Sequence, residues 1–554
     1  MDRFRRLLSG LWRALAQAQS QGRSETLVWD LIDSIRGAAR DRRIKVLVLQ
    51  LDDFQGAGGL PTMEELGSAI REFRASGKKV VAYGSQLLRD QYYLAAQADE
   101  VYLDPLGFVL IDGYGRYRWY YKDVLDKLDV DINVFRVGQY KSAVEEYTRT
   151  SMSPQDREES LGYLNALWST YQKDVTAARK LKPDALARYI DTLPQTVPAA
   201  RGATAQVALA AGLVTGLKSK QEVEKRLIEI VGEDDSNGSF RSVSDQDYVR
   251  VVHTETALGR HDRTRVGVIV AEGEILDGSQ PPGSVGGDSA AKLIRQARMD
   301  DRIRAVVLRV DSPGGSVSAS EEIYREIKAL QAVGKPVVVS MSNLAASGGY
   351  YISAPAQEIW ASPATITGSI GIFAVIPTVN RSMSKIGLSV DGVGTTPLSG
   401  QLRLDRPMTD ATRTLVQATV EHGYDEFLAR VSSGRHKSRD EVNEIGQGRV
   451  WAGVDGAKIG LVDHLGSFDD AVKAAARRAK IKDYKIEFIE PELSWAQALA
   501  LEVKAWAVRT LFPADHSAAA LLAQRLDPLK REVERLSRFT MPNRLYAYCF
   551  CTPQ

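Results

Sequence analysis

Hydrophobic and polar positions change period repeatedly along this chain. The runs DRRIKVLVLQLD (Asp41 to Asp52) and DDRIRAVVLRVD (Asp300 to Asp311) are short, β-branched and close on an aspartate, which predicts two buried strands. RVGVIVAEGEILDG (Arg265 to Gly278) predicts another strand, whereas TMEELGSAIREFRAS (Thr62 to Ser76) and SEEIYREIKALQA (Ser320 to Ala332) carry helical spacing. Strands alternating with helices imply a largely parallel sheet with crossover helices. Between Pro336 and Asn380 the only charged residue is Glu358, but prolines, glycines and serines break the stretch into pieces suited to buried strands and tight turns. No apolar run reaches the roughly 18 residues of a spanning helix.

Both ends of the chain have a different pattern. Near the start, Phe4, Leu7, Leu8, Leu11, Trp12 and Leu15 share one helical face while Arg3, Arg5, Arg6 and Arg13 share the other. That distribution suits a membrane-surface helix, and equally a helix packed on its own domain or on a partner subunit. Arg13 interrupts the apolar run, which argues against a cleaved signal peptide. From Ser494 to Arg538, Trp495, Leu499, Leu501, Trp506, Leu511 and Leu521 recur at helix-like spacing.

The chain also repeats itself, since an offset of about 258 residues brings Tyr92 onto Tyr350 and keeps the neighbouring segments in order. SGKKVVAYG (Ser76 to Gly84) answers VGKPVVVSM (Val333 to Met341), and YYLAAQADEVYLDP (Tyr92 to Pro105) answers YYISAPAQEIWASP (Tyr350 to Pro363). Met152 and Met408 each stand at the start of a helix with Ser or Thr at its N-cap. The expected organisation is a basic amphipathic segment (1–23), a first α/β repeat (24–232), a polar linker (233–262), a second α/β repeat (263–480) and a helical extension (481–554). The strand at Arg265 to Gly278 has no counterpart in the first half, where the same offset falls in the arginine-rich start. A remodelled N-terminus or an upstream start codon would account for that gap.

Composition narrows the function classes. Lys plus Arg total 72 against 70 Asp plus Glu, which removes the broad positive field of a nucleic-acid binder. The two cysteines, Cys549 and Cys551, are too few for a disulfide framework or a four-ligand zinc site. No cofactor is expected.

Candidate chemistry stands where the halves differ. At one helix start the second half reads NLAASGGYY (Asn343 to Tyr351) and the first SQLLRDQYY (Ser85 to Tyr93), so Ser347 is matched by Arg89. A serine on a tight Gly-flanked turn, exposed among free N–H groups, suits a nucleophile; the same turn suits an N-cap or a close-packing serine. DSPGGSVSAS (Asp311 to Ser320) follows a buried strand, and the amides of Gly314, Gly315 and Gly348 are candidates for an oxyanion hole; each glycine pair alone also suits an ordinary turn. None of His253, His261, His422, His436, His464 or His516 has a motif behind it. Lys141, in FRVGQYKSAVEEY (Phe135 to Tyr147), sits at a strand exit and aligns with Ser399 in the second half. As a surface lysine it would mean nothing. As a base it needs its pKa, normally ~10.4, lowered by burial, for which a cleft between the two domains is the expected setting. Ser369, in TGSIGIF (Thr367 to Phe373), is the candidate to orient the amine, and otherwise a turn serine bonded to its own backbone.

SPGGSVSAS, SNLAASGGYYIS, TGSIGIF and FRVGQYKSAVEEY resemble, in order, the motifs of the signal peptide peptidase A (protease IV) family in its long, duplicated bacterial form. The similarity runs from about Ser24 onward. It implies two tandem Clp-protease/crotonase-like α/β domains and a membrane-associated serine protease that degrades cleaved signal peptides. By motif match Ser347 is the nucleophile, Lys141 the general base, Ser369 its helper, and Gly348 with Gly314 and Gly315 the oxyanion hole. The resemblance further implies a homotetramer on the periplasmic face of the bacterial inner membrane, attached by an N-terminal transmembrane anchor that is missing from this chain. Two other readings compete: a crotonase-like acyl-CoA enzyme using the same glycine amides, and a noncatalytic oligomeric scaffold of the same fold.

Overall fold

The computed structural model describes residues 28–257, 264–490 and 545–553. The amphipathic start, His261, His516 and the Ser494 to Arg538 segment lie outside the described residues, as does the side chain of His253. The chain divides into two compact units. One contains residues 26–115 and 164–262; the other contains 1–25, 116–163 and 263–554.

The first of these units is built on a four-stranded parallel sheet, in the order Val46–Gln50, Lys79–Leu88, Glu100–Leu110, Gly216–Leu217. Val46–Gln50 is its edge among the described residues, in keeping with the missing counterpart of the Arg265 strand. The helix Leu60–Ala75 buries Leu66, Ile70 and Phe73, spaced by three or four residues along one face. The polar stretch after Gly232 folds as a short hairpin, Glu233–Asp234 with Ser239–Phe240, before the helix Asp245–Ala257.

The second unit has two sheets. In the larger one the strands run Val450–Ala452, Ile366–Gly368, Val337–Ala346, Ile303–Ser312, Arg265–Glu272 and Lys485–Phe488, with Glu358–Ala361 and His464–Leu465 on a branch. Ile303–Ser312 pairs in parallel on both sides, with Arg265–Glu272 and with Val337–Ala346. Strands flanked on both faces are mostly apolar, and Val306, Val307, Leu308 and Val310 are all buried, while the buried Arg309 is hydrogen-bonded to Ser340 and Ser342. Each such side chain contributes about 1.5–3 kcal/mol. The second sheet runs Ser284–Gly286, Glu274–Leu276, Gly314–Ser316, Tyr546–Tyr548, Ile372–Thr378, Asp131–Val137. Its last pair is antiparallel over seven residues, from Ile372 opposite Val137 to Thr378 opposite Asp131. This ladder places the lysine-bearing segment in the same compact unit as Ser347, and not in a cleft between two units.

Candidate active site

The site forms where strands of the two sheets end. Val337–Ala346 is a central parallel strand, and the chain leaves it at Ser347, which opens the helix Gly348–Ser353. Ser347 has φ 57° and ψ −115°, a left-handed conformation uncommon for a residue with a side chain and typical of strained functional turns. Its N–H donates to Gly368 O at 2.8 Å, fixing the turn against the strand that leads to Ser369. At the corresponding strand exit of the other unit, Arg89 opens the helix Arg89–Ala96, its guanidinium on Asp90 and on Gly113 O.

Lys141 follows the strand Asp131–Val137 by a turn at Gly138–Tyr140. Tyr140 N–H donates to Gln447 O at 2.9 Å, so the turn is held against the 447–450 segment. Gly448 has φ +80°, and a Cβ there would stand 2.6–2.8 Å from Lys141 N, Cβ and Cα; only glycine permits the approach. The lysine is 1% exposed. Its Nζ lies 2.8 Å from Ser347 Oγ, 3.0 Å from Ser369 Oγ and 3.1 Å from Ser369 O. Burial lowers its pKa to about 7, with the nearby Glu159 carboxyl acting the other way. Ser369 itself has φ 51°, and its N–H donates to Arg449 O at 2.7 Å.

Gly314 and Gly315 pack against Gly348: a Cβ on Gly348 would be 3.0 Å from Gly314 Cα and from Gly315 N. A Cβ on Gly315 would lie 1.9 Å from Ile275 O, which explains the glycine pair. Gly314 N–H donates to Ser312 Oγ at 3.1 Å, so this amide is already engaged, and Gly315 is paired in the sheet with Ile275 and Ala547. As first residue of its helix, Gly348 has an N–H without a helical carbonyl partner. The structure therefore brings all six sequence-predicted residues into one place, within a single chain. Among the described residues no histidine is hydrogen-bonded to Ser347 or Lys141, and Ser399 stands in a loop against Thr396.

Two further expectations are corrected. The region 481–554, expected to be a helical extension, contributes the strands Lys485–Phe488 and Tyr546–Tyr548 among its described residues, because each completes a sheet edge or slot beside other strands. Ser347 was expected to be exposed, yet it is fully buried. Beside the site runs Tyr546–Tyr548, which pairs antiparallel with Gly314–Ser316 on one side and meets Phe373 on the other through Tyr546. Cys549, disulfide-bonded to Cys551, donates its N–H to Pro313 O at 2.8 Å. The cysteines gave no hint of this placement. Glu159 and Gly448 also escaped sequence reasoning, because a polar helix start and a lone loop glycine carry no local mark of what they touch.

The family model of peptidase family S49 matches residues 72–232 and 329–482; the first segment contains Lys141, the second Ser347 and Ser369. The chain belongs to peptidase family S49. It is 41% identical over 544 residues to Protease 4 of Salmonella typhi, covering 98% of this chain and 87% of that protein. With Protease 4 of Haemophilus influenzae it shares 37% over 533 residues, covering 94% and 84%. Among solved structures it is similar to ClpP1 from Listeria monocytogenes at 15% identity and TM-score 0.24, over 37% of this chain and 94% of that one. The chain is a serine peptidase, and the acyl-CoA and scaffold readings give way to that assignment.

Proposed function

We propose that the chain is an endopeptidase for extended, apolar peptides, with cleaved signal peptides as its substrates, in which Ser347 is the nucleophile and Lys141 the general base. The observation that carries this is the 2.8 Å approach of Lys141 Nζ to Ser347 Oγ in a site where burial holds the amine near pKa 7. A neutral amine has two hydrogens and one lone pair. With the hydrogens donated to Ser369 O and Ser369 Oγ, the lone pair is left for the Ser347 hydroxyl proton.

On attack, the Ser347 Oγ–H proton passes to Nζ while Oγ bonds to the scissile carbonyl carbon. The developing oxyanion accepts from the Gly348 amide, with the Gly314–Gly315 backbone beside it. Collapse expels the amine, which takes the proton from Nζ, and leaves an acyl-enzyme on Ser347. A water then gives a proton to neutral Lys141 Nζ as its oxygen bonds to the acyl carbon; collapse breaks the bond to Ser347 Oγ, which takes that proton back from Nζ, and the acid leaves. Extended substrate would pair with the edges of Gly314–Ser316 and Ile372–Thr378, the positions now filled by Tyr546–Tyr548. Ser347→Ala and Lys141→Ala should each lower kcat/KM by roughly 10⁴-fold or more with folding intact. Substantial hydrolysis by either folded variant would reject the dyad.

The place of work is read from the family resemblance: a homotetramer at the periplasmic face of the inner membrane. Among the described residues no helix is long and apolar enough to cross a membrane. Cross-linking and fractionation of the native protein test both points.

A further inference from the structure

Behind Lys141 lies a buried carboxyl group that the reaction as written leaves without a task. Glu159, on the helix Pro154–Arg179, is 3% exposed. Its Oε2 accepts the Val450 N–H at 3.0 Å and its Oε1 accepts the Ser142 hydroxyl at 3.3 Å. These partners flank the lysine. Ser142 is the next residue after it, and Val450 ends the segment in which Gly448 presses on the Lys141 backbone and Arg449 O accepts the Ser369 N–H. One carboxyl group therefore ties together the two pieces of backbone that hold the amine and its helper serine.

The charges around it are accounted for. Asp156, fully buried, is paired with Arg116 at 2.6 Å and with Arg118. Arg118 also faces Glu145 at 3.9 Å and Glu146 at 3.6 Å, and the Tyr163 hydroxyl lies close to Glu159 and Arg116. The two guanidiniums thus face three carboxylates before Glu159 is counted; Arg116 favours the Glu159 anion, but burial opposes it more strongly. Burial, with Asp156 beside it, pushes the Glu159 carboxyl up to about 8.

We infer that Glu159 is a positioning residue for the base: by accepting from both the Ser142 hydroxyl and the Val450 N–H it holds together the two backbone segments that seat Lys141 Nζ against Ser347 and Ser369. This rests on the dyad proposed above. Burial keeps the carboxyl largely uncharged while Lys141 loses its proton, so its part there is to accept hydrogen bonds and not to hold charge.

The test is kcat and KM on a quenched apolar peptide and the rate of fluorophosphonate labelling of Ser347, read with a thermal melt. Glu159→Leu removes both acceptors and should lower kcat and the labelling rate by about 10²-fold, with KM within about threefold of native. Glu159→Gln keeps an acceptor for Val450 N–H and should recover most of that loss. Labelling of Glu159→Leu within threefold of native, or no recovery in Glu159→Gln, overturns the inference. Should Glu159→Leu not fold, Ser142→Ala, which removes only the 3.3 Å tie, should lower the labelling rate several-fold; an unchanged rate overturns the inference equally. Lys141→Ala is run alongside. If that variant stays active the dyad itself is wrong, a failure distinct from unchanged labelling in a lysine-dependent enzyme.

Discussion

Gly448→Ala isolates how much of the activity depends on the placement of one backbone. The added Cβ would begin 2.6 Å from Lys141 N and 2.7 Å from its Cβ, while ordinary carbon contacts lie at about 3.5–4.0 Å. The two segments must separate by about 1 Å, and the neighbour is backbone, which cannot swing aside as a side-chain tip can. With φ at +80°, the alanine also adds backbone strain of about 1–3 kcal/mol. Lys141 is the group displaced, and its Nζ is held by contacts of 2.8–3.1 Å that a 1 Å shift would stretch beyond hydrogen-bond length. Misplacement on that scale costs roughly 10²-fold in rate. The assay is kcat/KM on a quenched apolar peptide together with a thermal melt. Gly162→Ala serves as control, because a Cβ there meets nothing within 4 Å. A Gly448→Ala enzyme within threefold of native, and melting with it, would refute the claim that this contact seats the base.

Activity should rise with pH through about 7 as Lys141 becomes neutral; a profile flat from pH 5 to 9 would contradict this. The same group affects stability. Its folded pKa of about 7 is below its ordinary 10.5, so the unfolded chain binds the proton more tightly between these values, and the stability contributed rises with pH across that window. Lys141→Met should therefore be inactive yet melt higher than native at pH 6, with the gain shrinking by pH 9. Arg116→Met removes one of the two arginines paired with the fully buried Asp156 and should cost up to about 3–5 kcal/mol in denaturant unfolding, since Arg118 remains. Deleting residues 545–554 uncovers Ser347 and should speed its fluorophosphonate labelling at least several-fold; an unchanged rate would mean that Tyr546–Tyr548 leaves the cleft freely.

Much of this site was legible because duplication supplies an internal comparison. Ser347 against Arg89, and Lys141 against Ser399, identified the two residues that now stand 2.8 Å apart, although 206 positions separate them. Strands such as Ile303–Ser312 were legible because burial on both faces demands a continuous apolar run. The allocation of Lys141 to the same compact unit as Ser347 was not, because it depends on Asp131–Val137 finding Ile372–Thr378, an antiparallel pairing that no local period announces. Glu159 was hidden for a related reason. In PQDREES it is one more charge near a helix start, and its burial is a product of tertiary packing.

The strand Tyr546–Tyr548 lies between two other strands, paired over three residues with Gly314–Ser316 and at Tyr546 with Phe373. A chain that loses it, by proteolytic nicking or by early termination of synthesis, would present two raw sheet edges lined by apolar residues such as Phe373. Edges of that kind template pairing between molecules. Such a shortened chain faces a colloidal hazard as well as an open cleft, and its solubility should fall with concentration unless peptide is present to take the empty place.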